Sequence, residues 1–280
     1  MRIDLLAGTG YGGGVTVSTP TILVFDSGLG GLTVFAELAK ARPDARFIYA
    51  ADDAAFPYGA MSETALGDRI ETVMARLVAR FRPDLAVIAC NTASTLALPR
   101  LRARFPISFV GTVPAIKPAA AMSRSRIIAV LATPGTVKRD YTQGLIREFA
   151  GGCKVVLVGA ARLAAEAEKQ LRGETVDERV VAEEIAPCFV AEEGRRTDVV
   201  TLSCTHFPLL TPLFEQLAPW PVQFVDPAPA IARRVVHLIG AGSGAQPDSG
   251  GWAAVFTGGA RLTPELRSAL TERGLATIDI

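Results

Sequence analysis

The apolar residues of this chain fall into short continuous runs separated by longer segments of helical period. Runs near 22–25, 46–50, 85–89, 107–110, 126–132, 154–158, 198–202, 222–225 and 253–256 are rich in Val, Ile, Leu, Ala and Phe. Runs this short, apolar at nearly every position, predict strands buried on both faces. Between them the spacing predicts helices near 31–41, 62–81, 93–104, 114–122, 136–149, 161–171, 175–191, 207–217, 226–240 and 263–273. Alternation of this kind predicts parallel sheets with helices on both faces. Residues 1–20 include Tyr11-Gly12-Gly13-Gly14, end at Pro20 and carry no period, so they read as a flexible leader. Stretch 241–251, with its Gly, Ser and Pro, reads as a loop.

The pattern is doubled. Asp84-Leu85-Ala86-Val87-Ile88-Ala89-Cys90-Asn91-Thr92 is echoed by Asp198-Val199-Val200-Thr201-Leu202-Ser203-Cys204-Thr205-His206. Upstream, Thr21-Ile22-Leu23-Val24-Phe25-Asp26-Ser27-Gly28 is similar to Arg126-Ile127-Ile128-Ala129-Val130-Leu131-Ala132-Thr133-Pro134-Gly135. The economical reading is two similar, doubly wound α/β lobes with parallel-rich sheets sharing one cleft. Each Cys then falls where a strand ends and a helix begins. Open α/β sheets bind ligands at such places, and a helix N-terminus lowers a thiol pKa. Two thiols so placed suggest a pair of acid/base groups facing one substrate.

Composition narrows the functions. Hydrophobic residues make up 49%, charged residues 20%, and the net charge is +1. That balance gives no footprint for nucleic acid. No bilayer-length apolar stretch is free of charge or Pro. The segment Met1 to Gly10 lacks a signal peptide's cationic and apolar regions, so a cytoplasmic location is expected. Cys90, Cys153, Cys188 and Cys204 form no CxxC pair, and there are two histidines. Free thiols are therefore expected, with neither a disulfide framework nor a metal site.

One buried cysteine would be ordinary packing; two in matched contexts point to chemistry. Asn91, Thr92 and Thr205 offer short donors for a carboxylate, and His206 offers Cys204 a partner. Cys153 and Cys188 have no polar company of that kind and read as structural. His237 reads as a helix-face residue, and Arg233 and Arg234 as a solvated face. Asp26-Ser27-Gly28-Leu29-Gly30-Gly31 follows a strand, and its glycines would let backbone N–H groups converge on an anion. Asp26 could orient an ammonium group or modulate a thiol. Thr33 breaks the dinucleotide fingerprint. Asp52, Asp53 and Pro57-Tyr58-Gly59 form a polar loop at the sheet edge that carries Cys90, so Tyr58 and Gly59 are candidate ligand contacts. A pyridoxal enzyme would need a Schiff-base lysine. Lys40, Lys117, Lys138, Lys154 and Lys169 are available, none in a phosphate-site context.

Five phrases in order resemble the cofactor-independent glutamate racemases. They are Phe25-Asp26-Ser27-Gly28-Leu29-Gly30-Gly31-Leu32-Thr33-Val34, Phe56-Pro57-Tyr58-Gly59, Ala89-Cys90-Asn91-Thr92-Ala93-Ser94-Thr95, Leu131-Ala132-Thr133-Pro134-Gly135-Thr136-Val137 and Ser203-Cys204-Thr205-His206-Phe207-Pro208-Leu209-Leu210. The resemblance implies glutamate held between the lobes, with no cofactor and no metal, and D-glutamate supplied for peptidoglycan synthesis. It implies Cys90 acting on the α-proton of the D-isomer and Cys204 on that of the L-isomer, with Asp26 and His206 as auxiliary groups. Substrate contacts are implied at Asp26, Ser27, Tyr58, Gly59, Asn91, Thr92, Thr133, Thr136, Thr205 and His206. A family glutamate corresponds to Glu168 or to Glu166. The lobes are expected at 21–115 plus 226–280 and at 116–225, and the assembly as a homodimer. Some family members respond to a peptidoglycan-precursor activator or interact with DNA gyrase; these residues support neither partner directly. A racemase for aspartate or another amino acid stays open, because side-chain selectivity lies in the whole pocket.

Overall fold

A computed structural model of the protein describes residues 19–242, 252–259 and 262–278. Residues 1–18 of the expected leader and 243–251 of the expected loop lie outside the described residues.

The chain begins with β1 (Thr21–Asp26), α1 (Leu32–Ala41), β2 (Arg46–Ala51), α2 (Glu63–Phe81), β3 (Leu85–Ile88), α3 (Asn91–Arg104) and β4 (Ser108–Gly111). It continues with α4 (Ile116–Met122), β5 (Ile127–Ala132), α5 (Pro134–Val137), α6 (Asp140–Phe149), β6 (Lys154–Gly159), α7 (Leu163–Leu171) and α8 (Glu178–Ile185). The short β7 (Ala191–Glu192) and β8 (Arg195–Arg196) precede β9 (Val199–Ser203), α9 (Thr211–Leu217) and β10 (Gln223–Val225). Last come α10 (Ala228–Ile239), β11 (Ala253–Phe256), α11 (Pro264–Glu272) and β12 (Ala276–Ile278).

Two parallel sheets result, ordered β12-β11-β2-β1-β3-β4 and β10-β9-β5-β6. Taken from the inner flank, the first reads β2-β1-β3-β4 and the second β6-β5-β9-β10. The order is the same, with β11 and β12 added beyond β2. Each sheet defines one lobe. The sequence echo therefore falls on equivalent strands, and its aspartates have equivalent tasks. Asp84 accepts the N–H of Thr21 where β1 starts. Asp198 accepts the N–H groups of Arg124 and Ser125 just before β5.

In the first sheet the pleat sorts β1 between two cores. Ile22 and Val24 pack with Phe35 and Leu38 of α1 and with Ile231 and Val235 of α10. Leu23 and Phe25 pack on the other face, against Ile70 and Met74 of α2 and Ala97 and Leu101 of α3. Each fully buried side chain of this kind is worth roughly 1.5–3 kcal/mol. The second sheet repeats the arrangement between α7, α8 and α9 on one face and α4 and α6 on the other. Among the described residues, no helix is long and apolar enough to cross a membrane.

Several boundaries differ from the periodicity. The helix expected over 136–149 is two, α5 and α6, because the chain leaves helical geometry at Arg139 (ψ 139°). The one expected over 175–191 stops at Ile185 and passes into a 3-10 turn, Ala186–Cys188, with Pro187 inside it. The helix expected from 207 opens as a 3-10 turn, Phe207–Leu210, before α9. The hairpin β7–β8 and the edge strand β12 gave no pattern long enough to read.

Candidate active site

The carboxyl ends of β1, β3, β5 and β9 face one another across the lobes. Ser27, Tyr58, Gly59, Cys90, Asn91, Thr92, Thr133, Cys204, Thr205 and His206 line one narrow cavity there, with Phe56, Pro57 and Ala164. Ten of the residues singled out in the sequence are thus brought together. Asp26 and Thr136, both fully buried, stand behind that wall. A roomier hollow of about 400 Å³ lies elsewhere, lined by Val113, Pro114, Phe149, Pro227 and Ile231 among others; it contains neither Cys nor His.

Cys90 is the N-cap of α3, with extended backbone, and is 6% exposed. Its sulfur lies 3.7 Å from the Ser27 hydroxyl. Asp26, next to Ser27, accepts the Ser27 N–H at 2.5 Å and hydroxyl at 3.1 Å, and the Thr205 hydroxyl of the other lobe at 3.0 Å. Burial raises the Asp26 carboxyl, against the pull of His206 and these hydrogen bonds. Burial also pushes the Cys90 thiol well up, and the Asp26 charge adds to it; the N–H of Ala93 in the first turn of α3 opposes them. The expectation that a helix N-terminus lowers this thiol is therefore corrected, because desolvation outweighs the dipole. Beside it, Asn91 is 2% exposed, yet its amide oxygen and nitrogen both lack partners within the protein. Buried amides are ordinarily satisfied, so this one is free to meet a ligand.

Cys204 follows β9 and leads into the 3-10 turn Phe207–Leu210 rather than directly into an α-helix. The His206 Nδ1 lies 3.8 Å from its sulfur. On the other side of the ring, Nε2 is 3.1 Å from Glu168 Oε1 and 3.1 Å from the N–H of Gly30. One nitrogen cannot donate to the carboxylate and accept from the amide at once. Burial lowers the His206 pKa, but the hydrogen bonds to Cys204 and Glu168 prevail and hold it well above the usual imidazole value. That direction favours the protonated ring, with Nε2–H on Glu168. Burial works against the Glu168 carboxylate too, yet His206, the Leu29 N–H and Arg172 keep it below its ordinary range. Of the two glutamates on α7, Glu168 is the one at the histidine. Glu166 turns to Lys169 and to the N–H of Asp177.

The glycine turn has a use that the sequence did not reveal. Its Leu29 N–H donates to Glu168 Oε1 at 2.9 Å, so the anion it holds is the chain's own carboxylate from the other lobe. A Cβ on Gly28 would lie 2.2 Å from Glu168 Oε1, and one on Gly30 would lie 2.4 Å from His206 Nδ1. The lobes meet this closely only over a bare backbone. A second junction joins Thr92 to Thr133, hydroxyls 3.0 Å apart, with Thr136 3.0 Å from Thr133. The Tyr58 hydroxyl is committed to Asp52 at 2.6 Å, so Tyr58 meets the cavity with ring and backbone. Cys188 packs in the second lobe's core, and Cys153 and His237 are also absent from the cavity wall. Sequence reasoning missed Phe56, whose ring packs on His206 with centroids 5.5 Å apart; its place beside Pro57-Tyr58-Gly59 was the available signal.

Two parallel α/β lobes that bring one thiol each to a buried polar cavity define a class of two-lobed α/β enzyme working at an interlobe cleft. The chain belongs to the Asp/Glu/Hydantoin racemase family, whose pattern matches residues 27–235. It is similar to a glutamate racemase of Brucella anthropi, 58% identical over 78% of this chain and 79% of the relative. It is also similar to one of Rhizobium meliloti, 53% identical over 85% and 86% respectively. Among solved structures it resembles Escherichia coli glutamate racemase in complex with L-glutamate and the activator UDP-MurNAc-ala. The TM-score there is 0.84 and the identity 40%, covering 93% of this chain and 97% of that one.

Proposed function

We propose that this chain interconverts L- and D-glutamate without a cofactor, by proton transfer between two thiols on opposite faces of the α-carbon. The observation that carries this reading is Cys90 and Cys204, one from each lobe, on a single cavity. The relatives named glutamate racemase support the substrate.

The chemistry asks for such a pair. An α-hydrogen must leave one face while a proton arrives on the other, and one group cannot reach both. In the L-to-D direction Cys204 withdraws the proton and Cys90 delivers one; the reverse direction exchanges the roles. One thiol must be charged while the other holds its proton. Desolvation at Cys90 favours holding its proton, and the His206 ring lies beside Cys204. The carbanion is met by preorganised donors rather than by a cofactor. Asn91 with its open amide, Ser27, Thr92, Thr133 and Thr205 supply those donors, while Tyr58 and Gly59 close the wall. Asp26 and Thr136 act from behind by orienting Thr205 and Thr133. Lobe closure excludes water from the intermediate.

D-glutamate formed in this way would enter peptidoglycan synthesis in the cytoplasm, with the protein working as a homodimer. The solved relative carrying UDP-MurNAc-ala supports extending that activator class to this chain. The test follows circular dichroism of the purified protein with each enantiomer, no cofactor added, with and without that activator. Both signals should decay to zero. A persistent signal from both enantiomers under both conditions would overturn the reading.

A further inference from the structure

Asp52 lies one residue beyond β2, is fully buried and is not on the cavity wall. A carboxylate this deep needs its lone pairs met. The Tyr58 hydroxyl donates to it at 2.6 Å, Arg69 Nε at 3.0 Å and Nη2 at 2.5 Å, and the Thr257 hydroxyl at 2.5 Å. These donors come from three parts of the chain: the loop after β2, helix α2, and the residue following β11. Next to Thr257, the Gly258 N–H donates to Asp53 at 2.7 Å, and the Ala54 N–H donates to the Thr257 hydroxyl at 3.4 Å, so the end of β11 is stitched three times to the same loop.

That loop is the one that faces the cleft. It carries Tyr58 and Gly59 to the cavity and packs Phe56 on His206. With its hydroxyl spent on Asp52, Tyr58 has its ring direction set by the carboxylate, and the carboxylate is set by Arg69 and Thr257. A guanidinium fork fixes direction as well as charge, since both of its donors must meet both oxygens.

We propose that Arg69 and Thr257 are positioning residues for substrate binding. Acting through the Asp52 carboxylate, they fix Tyr58 and hence the wall that Tyr58 and Gly59 turn toward glutamate. Neither touches the cavity, and Thr257 lies in a segment remote in sequence from every cavity residue. The inference rests on the racemase reading of that cavity.

The test compares T257V, T257S, R69Q and R69K with the parent protein, each also on a Y58F background, measuring kcat, KM and thermal midpoint with both enantiomers. T257V and R69Q should raise KM about 5- to 10-fold while kcat changes less than about 3-fold. T257S should restore KM. R69K should not, because an ammonium cannot replace the fork. On the Y58F background, where the bond to Asp52 is already cut, T257V and R69Q should add less than about 2-fold. A purely structural role would lower the midpoint and the active fraction while leaving KM unchanged, which overturns the inference. Additive KM effects on the Y58F background overturn it as well. If T257V does not fold, R69Q on the partly exposed face of α2 decides alone. A parent protein inert toward both enantiomers defeats the racemase reading and this inference with it; an active parent with unaltered variants defeats only the inference.

Discussion

The two thiol-bearing regions occupy equivalent places and have unlike surroundings. Cys90 follows β3, the neighbour of central strand β1; Cys204 follows β9, the neighbour of central strand β5. Cys90 caps a 14-residue helix and feels the buried Asp26. Cys204 leads into a 3-10 turn and has the His206 ring beside it, itself paired with Glu168 and held above the usual imidazole pKa. The difference teaches that the doubled topology supplies positions, whereas the charges come from single residues that the echo does not share. A transfer that takes a proton on one side and gives one on the other needs symmetry in place and asymmetry in charge.

Removing either thiol should have the largest effect. Cys90→Ala and Cys204→Ala should each lower racemisation by about 10³-fold or more with an unchanged thermal midpoint, since each removes a proton-transfer group. Near-parent initial rates in either variant would break the comparison at its base.

Crowding the seam between the regions should come next. Gly30→Ala places a methyl 2.4 Å from the His206 ring. The lobes must part or the ring must turn, so denaturant unfolding should show a loss of about 1–3 kcal/mol together with reduced turnover. An unaffected variant would mean that the close approach at His206 has no consequence.

The Glu168–His206 pair gives a signature in pH. The Glu168 pKa is lowered by folding, so its contribution is full above the unfolded value and is lost as pH falls through the folded one. The His206 pKa is raised, so its contribution is full below the unfolded value and is lost as pH rises through the folded one. The stability gap between parent and Glu168→Gln should therefore be widest between about pH 4.5 and 6.5, narrowing on either side. Denaturation midpoints across pH would measure it; a gap that stays constant from acid to alkali would show that the pair is not ionic. The smallest effect belongs to Cys188→Ala, which should cost about 1 kcal/mol from a packed core with activity retained. A severe drop in its kcat would give the second lobe a third functional thiol.

Much of the frame was legible because buried parallel strands announce themselves as apolar runs, and Asp84 and Asp198 marked their equivalence. The cavity residues were legible from phrases at strand ends. The links between them were not. Glu168 is indistinguishable from Glu166 by spacing, since both lie on α7 and only packing shows which reaches His206. The glycine turn read as a cradle for an outside anion, and nothing local could say that a carboxylate from the other lobe fills it. The upward shift at Cys90 depends on depth of burial, which helix-end reasoning does not contain. Arg69 and Thr257 join Asp52 from elements too distant for any window along the chain.

The central claim is that Cys90 and Cys204 work on opposite faces of one α-carbon. Turnover of L-glutamate in D₂O, sampled early by mass spectrometry of the separated enantiomers, tests it most directly. One thiol takes the substrate's protium while the other delivers a deuteron already exchanged with solvent. The D-glutamate should therefore carry α-deuterium from the first turnovers, while the remaining L-glutamate stays largely protiated. Early D-glutamate that keeps the substrate's own α-hydrogen would contradict the claim, because a single group would then be serving both faces.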